Sequence, residues 1–570
     1  MSSTYLSDSP AIARLEPSWA FAICWLAAAL VLYLAGSPPP GPAAFPDEVC
    51  RLGWARLLSG TGPHYDMSPA AYCQPYYPLL LAPFQWLTHD PEAIHRAVFA
   101  INSAFAAACL PMAVRLGSRH FKLDAGPAWI AGIAILAYPS LTLYSHHALP
   151  ETILFPGVLL AFALWCNWVD RPGWRQFTVL LAMSVVLYAL HRKMLVVPLT
   201  LMGGAIAGYW FNRNPEYRMQ ALLTALALAV IFMLDEVAKS VATSGPVQAG
   251  DAGAIDKLAW LSSLKYIQSA AGTAAGILVY ATLVTGGCIW LVLGCGLDSI
   301  RRGVRNGFGS LDEFTKKSAF AFGMVVLLGA VTATYLGGGG SGRFDIWFYG
   351  RHVDSALGVA LLPAIAMIAG RRVNGSTLWW AIGLAVSCFL ILAALIPGPP
   401  WGDFSQIHVI GAGPFMEWMY QADDRWILLA YCAAILAMAG AMWLARMAGI
   451  FRFAALAPFA IVATTTHLTT QPFEGIPIEV AIPEPAANML RETDPCHVHY
   501  DSRGGGRLRL HQYFRLQYHF PNCSIELVPY DESLPPGSLV IVRRAYAECG
   551  PETECYDLHP DLVLRQTEGG

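Results

Sequence analysis

Apolar runs long enough to cross a lipid bilayer recur along most of this chain. A spanning helix needs about 20 mainly apolar residues, because the hydrocarbon core is ~30 Å thick and each helical residue rises ~1.5 Å. About thirteen runs meet that requirement, and they end near residue 471. We therefore predict an all-α, polytopic membrane domain over 1–471. The predicted spans lie near 17–36, 97–114, 125–145, 151–169, 176–190, 194–212, 219–238, 272–297, 318–336, 353–370, 376–396, 426–445 and 452–468.

The pattern changes over 472–570, where polar residues become common. Short alternating runs such as CHVHY, CSIELVPY and GSLVIVRR predict strands, and the stretch RLRLHQYFRLQYHF predicts a helix. We therefore predict a small C-terminal α/β domain after the membrane domain.

Lysine and arginine mark one side of the predicted bundle. Every second loop is rich in them, and positive loops tend to stay cytoplasmic. The opposite loops are longer and richer in proline, glycine and aromatic residues. We expect a cytoplasmic N-terminus, a first apolar run that remains as an uncleaved helix, and an extracytoplasmic tail. The cations on the cytoplasmic side are Arg115, Arg119, Lys122, Arg171, Arg175, Arg213, Arg218, Arg301, Arg302, Arg305, Lys316, Lys317, Arg371, Arg372, Arg446 and Arg452.

Composition narrows the class of protein. The 570 residues are 55% hydrophobic and 13% charged, with a net charge of -3. No block of lysine and arginine is longer than two residues, so no basic surface for nucleic acid is expected. The lipid bilayer is the expected environment, and nucleic acid is excluded as a partner.

The cysteines agree with the predicted orientation. Seven of the thirteen lie in predicted spans, where cysteine is usually a small packing residue. The other six fall on the extracytoplasmic side, which suits disulfides in an oxidising compartment such as the periplasm next to a bacterial inner membrane. No CxxC or Cys/His spacing typical of structural zinc is present, and spacing leaves the disulfide connectivity open. The pairs with the shortest loops are Cys50 with Cys73, Cys496 with Cys523, and Cys549 with Cys555.

The predicted outer loop over 36–95 is too long for a simple connection, which favours a functional role. Within it, PDEVCRLGWARLLSG predicts a short amphipathic helix, and YYPLLLAPFQWL predicts an interfacial segment. Asp47 and Glu48 open that helix, where a carboxylate is able to deprotonate an acceptor hydroxyl or hold a divalent cation. Burial in a low-dielectric cavity is expected to raise the pKa of such a base. The alternative is an ordinary helix start favoured by the helix dipole.

Glu151 opens the fourth predicted span, after the sequence YSHHALP. Ionisable residues at membrane depth are costly and therefore often functional, although a carboxylate at an interfacial helix start is the alternative. His147 precedes it by four positions, a spacing seen in metal sites, but the intervening Pro150 disfavours a regular helical face. A divalent cation is the one cofactor that the sequence suggests, with Glu48, His147 and Glu151 as its candidate ligands.

Two groups of cations lie at the same predicted membrane boundary. Arg192 and Lys193 interrupt an apolar run that fits two spans joined by a tight hairpin. A lipid phosphate would balance cations at that depth, and snorkelling to headgroups is the alternative. The loop GGGGSGRFDIWFYGRHVDSALG places further charges beside aromatic residues, which suits a phosphosugar, while its glycine run is either a phosphate nest or a flexible loop. Its charged candidates are Arg343, Arg351, His352 and Asp354.

In their order along the chain, these motifs resemble the GT-C superfamily of membrane glycosyltransferases, especially the branch with protein O-mannosyltransferases and the aminoarabinose transferase of lipid A. The acidic pair in PDE, the run QPYYPLLLAPF and the helix start AIHRAVFAINSAFAA come first. Glu151, Arg192 and Lys193 follow, and RHVDSALGVALLP is similar to the family's Arg-Tyr-x-x-x-x-x-P segment. The resemblance covers about 17–470. The chain departs from the family pattern at His352, where tyrosine is usual, and at Glu151, where aspartate is often found.

The resemblance implies a sugar donor carried on a polyprenyl phosphate and an acceptor that is a lipid, a glycan or a protein. It implies inverting displacement at the anomeric carbon, with Asp47 as general base and Glu48 and Glu151 as further acidic site residues. Arg192 and Arg351 are the first candidates for binding the donor phosphate. The remaining candidates are Lys193, Arg343 and His352.

Three other functions remain open from the sequence. A transporter or flippase of lipid-linked sugars would need ionisable residues near the bilayer midplane and broken helices in matching repeats, whereas the charges here cluster at the outer boundary. A ligase or polymerase of lipid-linked glycans would use the same kind of outer-loop cations. A scaffold without catalytic activity is the third.

Overall fold

A computed structural model gives the fold of the protein. It describes residues 18–36, 46–61, 73–88, 90–243, 263–307, 311–337, 344–395, 406–421, 436, 439–440, 443–447, 449–470, 488–490, 493, 496–501, 513, 516–518, 520, 523–528, 534, 538–544, 549, 555–559 and 562–566.

The described membrane part consists of helices. In chain order they are α1 (Ser18–Ala35), α2 (Pro46–Ser59), α3 (Pro78–Leu87), α4 (Pro91–His120), α5 (Ala125–Leu136), α6 (Pro139–Tyr144), α7 (Glu151–Asp170), α8 (Trp174–Leu190), a 3-10 helix (Arg192–Leu195), α9 (Val196–Asn212), α10 (Pro215–Thr243), α11 (Leu264–Val284), α12 (Cys288–Asn306), α13 (Glu313–Gly337), α14 (Phe344–Trp347), α15 (Asp354–Ala369), α16 (Gly375–Leu395), a 3-10 helix (Gln406–Ala412), α17 (Gly413–Gln421), a 3-10 helix (Gly449–Leu456) and α18 (Ala457–Thr469).

The predicted polytopic membrane fold is confirmed. Within the described residues, seven helical segments are long and apolar enough to cross a membrane. Six of them are in α4, α7, α10, α11, α13 and α16. The seventh is Arg192–Trp210, which comprises a 3-10 helix and most of α9. Shorter apolar helices α1, α3, α5, α8 and α15 accompany them. The predicted span 426–445 lies mostly outside the described residues.

Two predicted spans are wrong as continuous helices. The run predicted over 125–145 is divided between α5 and α6, because Pro139 has no backbone N–H to continue the first helix. The run predicted over 272–297 is divided between α11 and α12, because Gly286 and Gly287 have φ of +56° and +83°. A Cβ atom at Gly286 would collide with the backbone of Phe459 in α18, so close packing of that helix also requires glycine.

The predicted C-terminal α/β domain contains a five-stranded mixed sheet. Its strands are β1 (His497–Asp501), β2 (Ser524–Val528), β3 (Leu539–Arg543), β4 (Cys555–His559) and β5 (Leu562–Gln566). The order is β2-β1-β3-β5-β4, with β1 parallel to both of its neighbours and β5 antiparallel to both of its own. Whether the domain begins at 472 remains a prediction.

One apolar cluster joins this sheet to the first outer loop. Val49 and Leu52 of α2 are buried in the same cluster as Tyr500 of β1 and Ile541 of β3. Burial of apolar surface on both sides stabilises this contact. The tail therefore packs against the helix that carries the predicted acidic pair.

The described residues contain three disulfides, which join the pairs with the shortest loops and so give the connectivity that spacing had left open. Two of them brace the elements around that cluster, since one ends in α2 and another joins the starts of β1 and β2. The pairs are Cys50 with Cys73, Cys496 with Cys523, and Cys549 with Cys555.

Candidate active site

The acidic pair at the start of α2 divides between two environments. Pro46 opens the helix, and Asp47 and Glu48 occupy its first turn, where the helix dipole favours negative charge. The side chain of Asp47 is 44% exposed, whereas Glu48 is fully buried. Only Asp47 is therefore accessible to a substrate.

Arg351 connects Asp47 to the second predicted acid. Its Nη1 lies 2.6 Å from Oδ2 of Asp47, and its Nε lies 2.8 Å from Oε1 of Glu151. The side chains of Arg351 and Glu151 are only 5% and 2% exposed, so this ion pair is screened little by water. One guanidinium thus bridges two carboxylates from α2 and α7.

Lys193 completes the charged network. Its Nζ donates to Oε1 of Glu151 at 3.3 Å and to the carbonyl oxygen of Arg351 at 3.2 Å. The structure therefore brings together four of the predicted site residues, Asp47, Glu151, Lys193 and Arg351, with two cations facing two carboxylates. We call these four residues the charged network.

Two atoms of the charged network have no hydrogen-bond partner among the described residues. Nη2 of Arg351 is a buried donor, and Oε2 of Glu151 is a buried acceptor. An unsatisfied buried donor on a guanidinium is costly in the absence of a ligand. It is also suited to an anionic oxygen, since guanidinium groups bind phosphate through two adjacent N–H groups.

The backbone around Arg351 is held by the 3-10 helix Gln406–Ala412. The amides of Gly350 and Arg351 donate to the carbonyl oxygen of His408 at 2.8 and 2.9 Å. The ring of Tyr349 stacks on His408 with centroids 4.5 Å apart. Gly350 lies so close to the ring of Tyr280 that a Cβ atom would not fit. The backbone that carries the Arg351 side chain is therefore held in place by these contacts.

The electrostatic state of Asp47 differs from the expectation for a buried base. Burial by itself raises the pKa of its carboxyl, but the charges of Arg351 and Arg51 outweigh burial and hold the pKa below its ordinary value. The predicted rise is therefore wrong for this state of the protein. Asp47 carries a full negative charge that is neutralised by Arg351.

Glu48 belongs to a separate group with His147. Its Oε1 accepts from the amide of Ala148 at 2.8 Å and lies 3.8 Å from Nδ1 of His147. Burial raises the pKa of Glu48, but the neighbouring His147 and the hydrogen bond from the amide of Ala148 outweigh burial and hold the pKa below its ordinary value. Within the described residues, the predicted ligands Glu48, His147 and Glu151 do not form one group with mutually close ligand atoms. Glu151 is bound in the charged network instead, and a divalent cation at any of these candidates stays a prediction.

Two other predicted phosphate ligands, Arg192 and His352, lie outside the charged network. Nε of Arg192 pairs with Oδ2 of Asp235 in α10 at 2.6 Å. His352 lies among aromatic rings, 4.7 Å from Tyr349 between centroids. Burial, followed by the charges of Lys193 and Arg351, holds the pKa of His352 well below its ordinary value, so the ring is neutral. Arg343 lies outside the described residues.

A buried cluster of tyrosines around Asp354 has no counterpart in the sequence predictions. Oδ1 of Asp354 accepts from Tyr138 at 2.9 Å and from Tyr280 at 2.8 Å, and Oδ2 accepts from Tyr144 at 3.3 Å. Asp354 is the first residue of α15 and lies three positions after Arg351. The tyrosine cluster therefore holds the start of α15 next to the segment that carries Arg351. The one signal in the sequence was a carboxylate at the start of an apolar helix.

Arg51 is a second residue without a predicted role. It is 6% exposed, lies one helical turn after Asp47, and donates from Nη1 to the carbonyl oxygen of Asp47 at 2.6 Å. The i, i+4 spacing in the sequence could have identified this contact.

Solved structures align with this chain over most of its length. The apo crystal structure of ArnT from Cupriavidus metallidurans aligns with a TM-score of 0.51 at 13% identity, over 96% of this chain and 98% of that chain. The structure of the same protein bound to undecaprenyl phosphate aligns over the same shares at 13% identity, with a TM-score of 0.49. The apo oligosaccharyltransferase of Archaeoglobus fulgidus gives 0.38 at 11% identity, over 92% of this chain and 66% of that chain.

The class of fold follows from these observations. The described helices and the sheet domain form a polytopic membrane protein with the GT-C fold, as the sequence resemblance implied. No protein-family model and no curated protein sequence matches the chain.

Proposed function

We propose that this protein is a glycosyltransferase that moves a sugar from a polyprenyl-phosphate donor to a hydroxyl-bearing lipid, glycan or protein. The observation that carries the proposal is Arg351, which contacts an accessible carboxylate and has a buried donor nitrogen without a partner among the described residues. The GT-C fold and the order of the sequence motifs support the choice of donor.

The donor phosphate binds between Arg351 and Lys193. Two buried cations at a membrane boundary favour an anion that arrives from the lipid phase. Glu151 orients both cations and balances part of their charge, so it acts as a positioning residue. Arg192 is the secondary phosphate contact, because its charge is already paired with Asp235.

Asp47 accepts the proton of the acceptor hydroxyl. The acceptor oxygen attacks the anomeric carbon while the bond from that carbon to the phosphate oxygen breaks. The bonding electrons leave with the polyprenyl phosphate, and the configuration at the anomeric carbon inverts. Because the phosphate competes with Asp47 for Arg351, donor binding frees the carboxylate and raises its pKa toward that of a working base.

The site faces the extracytoplasmic side in this proposal. The distribution of lysine and arginine and the three disulfides support a bacterial inner membrane with the charged network and the tail toward the periplasm.

Transfer of labelled sugar by the purified full-length protein tests the proposal. A panel of synthetic polyprenyl-phosphate sugars is offered to the wild type, Asp47→Asn and Glu92→Gln. We expect one donor to be consumed, a loss of ~100-fold or more in Asp47→Asn, and normal activity in Glu92→Gln, which removes an exposed carboxylate paired with Arg96.

Two other outcomes would contradict parts of the proposal. If no donor turns over while the protein moves a lipid-linked sugar across vesicle membranes, the protein is a transporter and the proposal fails. If a donor is consumed equally well by Asp47→Asn, the transferase remains but Asp47 is not its base.

A further inference from the structure

Three metal-ligand side chains share one face of the C-terminal sheet, away from the charged network. His497 and His499 are two positions apart on β1, so their side chains lie on the same face. Glu526 on β2 is the register partner of His499. Val498 and Tyr500, which alternate with the histidines, are buried in the cluster that packs against α2. The three ligand residues therefore occupy the face opposite that contact.

The donor atoms are close enough to converge on one ion. Nε2 of His497 lies 3.4 Å from Oε2 of Glu526, and Nδ1 of His499 lies 4.0 Å from the same oxygen. All three donor atoms lie within 4.8 Å of one another. Tetrahedral Zn²⁺ with bonds of ~2.0–2.2 Å separates its ligand atoms by about 3.3–3.6 Å. The distance between His497 and Glu526 is already in that range, and small rotations of the half-exposed side chains of His497 and Glu526 would shorten the other two.

His499 has an unsatisfied nitrogen that is directed into this group. Its Nδ1 is a buried atom with no hydrogen-bond partner among the described residues. Imidazole is the commonest metal-binding side chain in proteins, so a ring nitrogen in this position is available to an ion.

A disulfide holds the two strands in register. Cys496 and Cys523 immediately precede β1 and β2, and the amide of Ser524 donates to the carbonyl oxygen of Cys496 at 2.8 Å. The ligands therefore stand on rigid strands before any ion binds, which lowers the entropic cost of binding.

We propose that His497, His499 and Glu526 bind one Zn²⁺ ion. Two imidazoles and one carboxylate are a ligand set that zinc accepts, and such sets leave a fourth position for water or another oxygen ligand. His497 and Glu526 are 46% and 54% exposed, so that position is open to solvent. The bound ion links the edge strand β2 to β1. Cys/His spacings typical of zinc are absent from the sequence, and this ligand set contains no cysteine. Those spacings could therefore not reveal the site.

Metal binding by the tag-free, full-length protein in detergent tests the proposal. The number of Zn²⁺ ions bound and their affinity are measured by competition with a chromophoric chelator, and Co²⁺ absorption reports the geometry of the site. The variants are Glu526→Gln, the double variant His497→Asn/His499→Asn, and the control Ser524→Ala, which alters the same strand and removes no ligand. Circular dichroism establishes that each variant is folded.

The expected result is a difference of one Zn²⁺ between the wild type and the double variant. Glu526→Gln, which keeps the shape of the side chain, is expected to weaken binding at this site at least ~100-fold, because even outer-shell changes cost 10–100-fold. Ser524→Ala binds as the wild type does. The proposal is overturned if the folded double variant binds as many Zn²⁺ ions as the wild type with the same affinity, or if the wild type binds none. Sugar transfer is not the readout, so this result is independent of the proposed function.

Discussion

The guanidinium of Arg351 contacts the carboxylate of Asp47 at 2.6 Å across a separation of 304 positions in the sequence. The same guanidinium contacts Glu151, 200 positions away. The ion pair keeps the carboxylate of Asp47 charged and bound to Arg351 until another anion competes for Arg351. The predictions below follow from this relationship and from the contacts around it.

The first prediction concerns pH. A base acts in its deprotonated form, and the lowered pKa of Asp47 keeps it deprotonated below the ordinary aspartate value of about 3.9. We expect the acid limb of kcat/KM, which reports the free enzyme, to lie below that value in the wild type. Arg51→Gln removes one of the lowering charges and is expected to move the limb to higher pH. An unchanged limb in Arg51→Gln, with Arg96→Gln as the control, would contradict the assignment.

The same shift affects stability with a defined sign. Because the folded-state pKa of Asp47 is lowered, its ion pair contributes stability above the unfolded-state value of about 3.9 and loses it as the pH falls through the folded-state value. Thermal unfolding between pH 7 and 3 should therefore show a smaller loss of stability in Asp47→Asn than in the wild type. An equal loss in both proteins would show that other carboxyl groups dominate acid unfolding.

The second prediction concerns Glu151, which is 2% exposed and contacts both buried cations. Glu151→Gln leaves Arg351 and Lys193 without their shared counterion and is expected to destabilise the protein by about 3–5 kcal/mol. The double variant Glu151→Gln/Lys193→Met should recover part of that loss, because one uncompensated cation is removed. Thermal unfolding in detergent measures both effects. Additive losses in the double variant would show that the two groups are not coupled.

The third prediction separates two adjacent cations. Lys193 is 5% exposed and belongs to the charged network, whereas Arg192 is 35% exposed and pairs with Asp235. We expect Lys193→Met to reduce kcat/KM for the lipid-linked donor by ~10-fold or more and Arg192→Met to reduce it less, since a buried cation contributes more to binding phosphate. Steady-state kinetics at varied donor concentration give the comparison. A larger effect at Arg192 would restore it as the principal phosphate ligand.

The fourth prediction concerns the tyrosines around Asp354. Tyr280→Phe removes one hydrogen bond to that carboxylate and the one that Tyr280 accepts from the amide of Gly411 at 3.2 Å. We expect a loss of roughly 1.5–3 kcal/mol in the free energy of unfolding. Tyr33→Phe, at a 37% exposed position in α1, is the matched control and should have little effect. If the free energies of unfolding of the two variants were equal, the cluster would contribute little to stability.

Local patterns in the sequence predicted most of the secondary structure. Hydropathy identified α4, α7, α13 and α16 because a bilayer requires apolar length, and that requirement is local. The same reasoning failed at Gly286 and Gly287, where the chain breaks a helix within an apolar run. The positive φ angles of these glycines end the helix, and the close contact of Gly286 with α18, which also requires glycine, lies outside any local window of sequence.

The sequence by itself determined which side chains were available at the site, including Asp47 and Glu48 at one helix start and cations in two later segments. Only the tertiary structure decided which of them meet. Arg192 and Lys193 are neighbours in the same short 3-10 helix, yet Arg192 pairs with Asp235 and Lys193 pairs with Glu151. Hydrophobic periodicity depends on neighbours within a few turns, whereas the pairing of charges depends on how distant helices pack against one another.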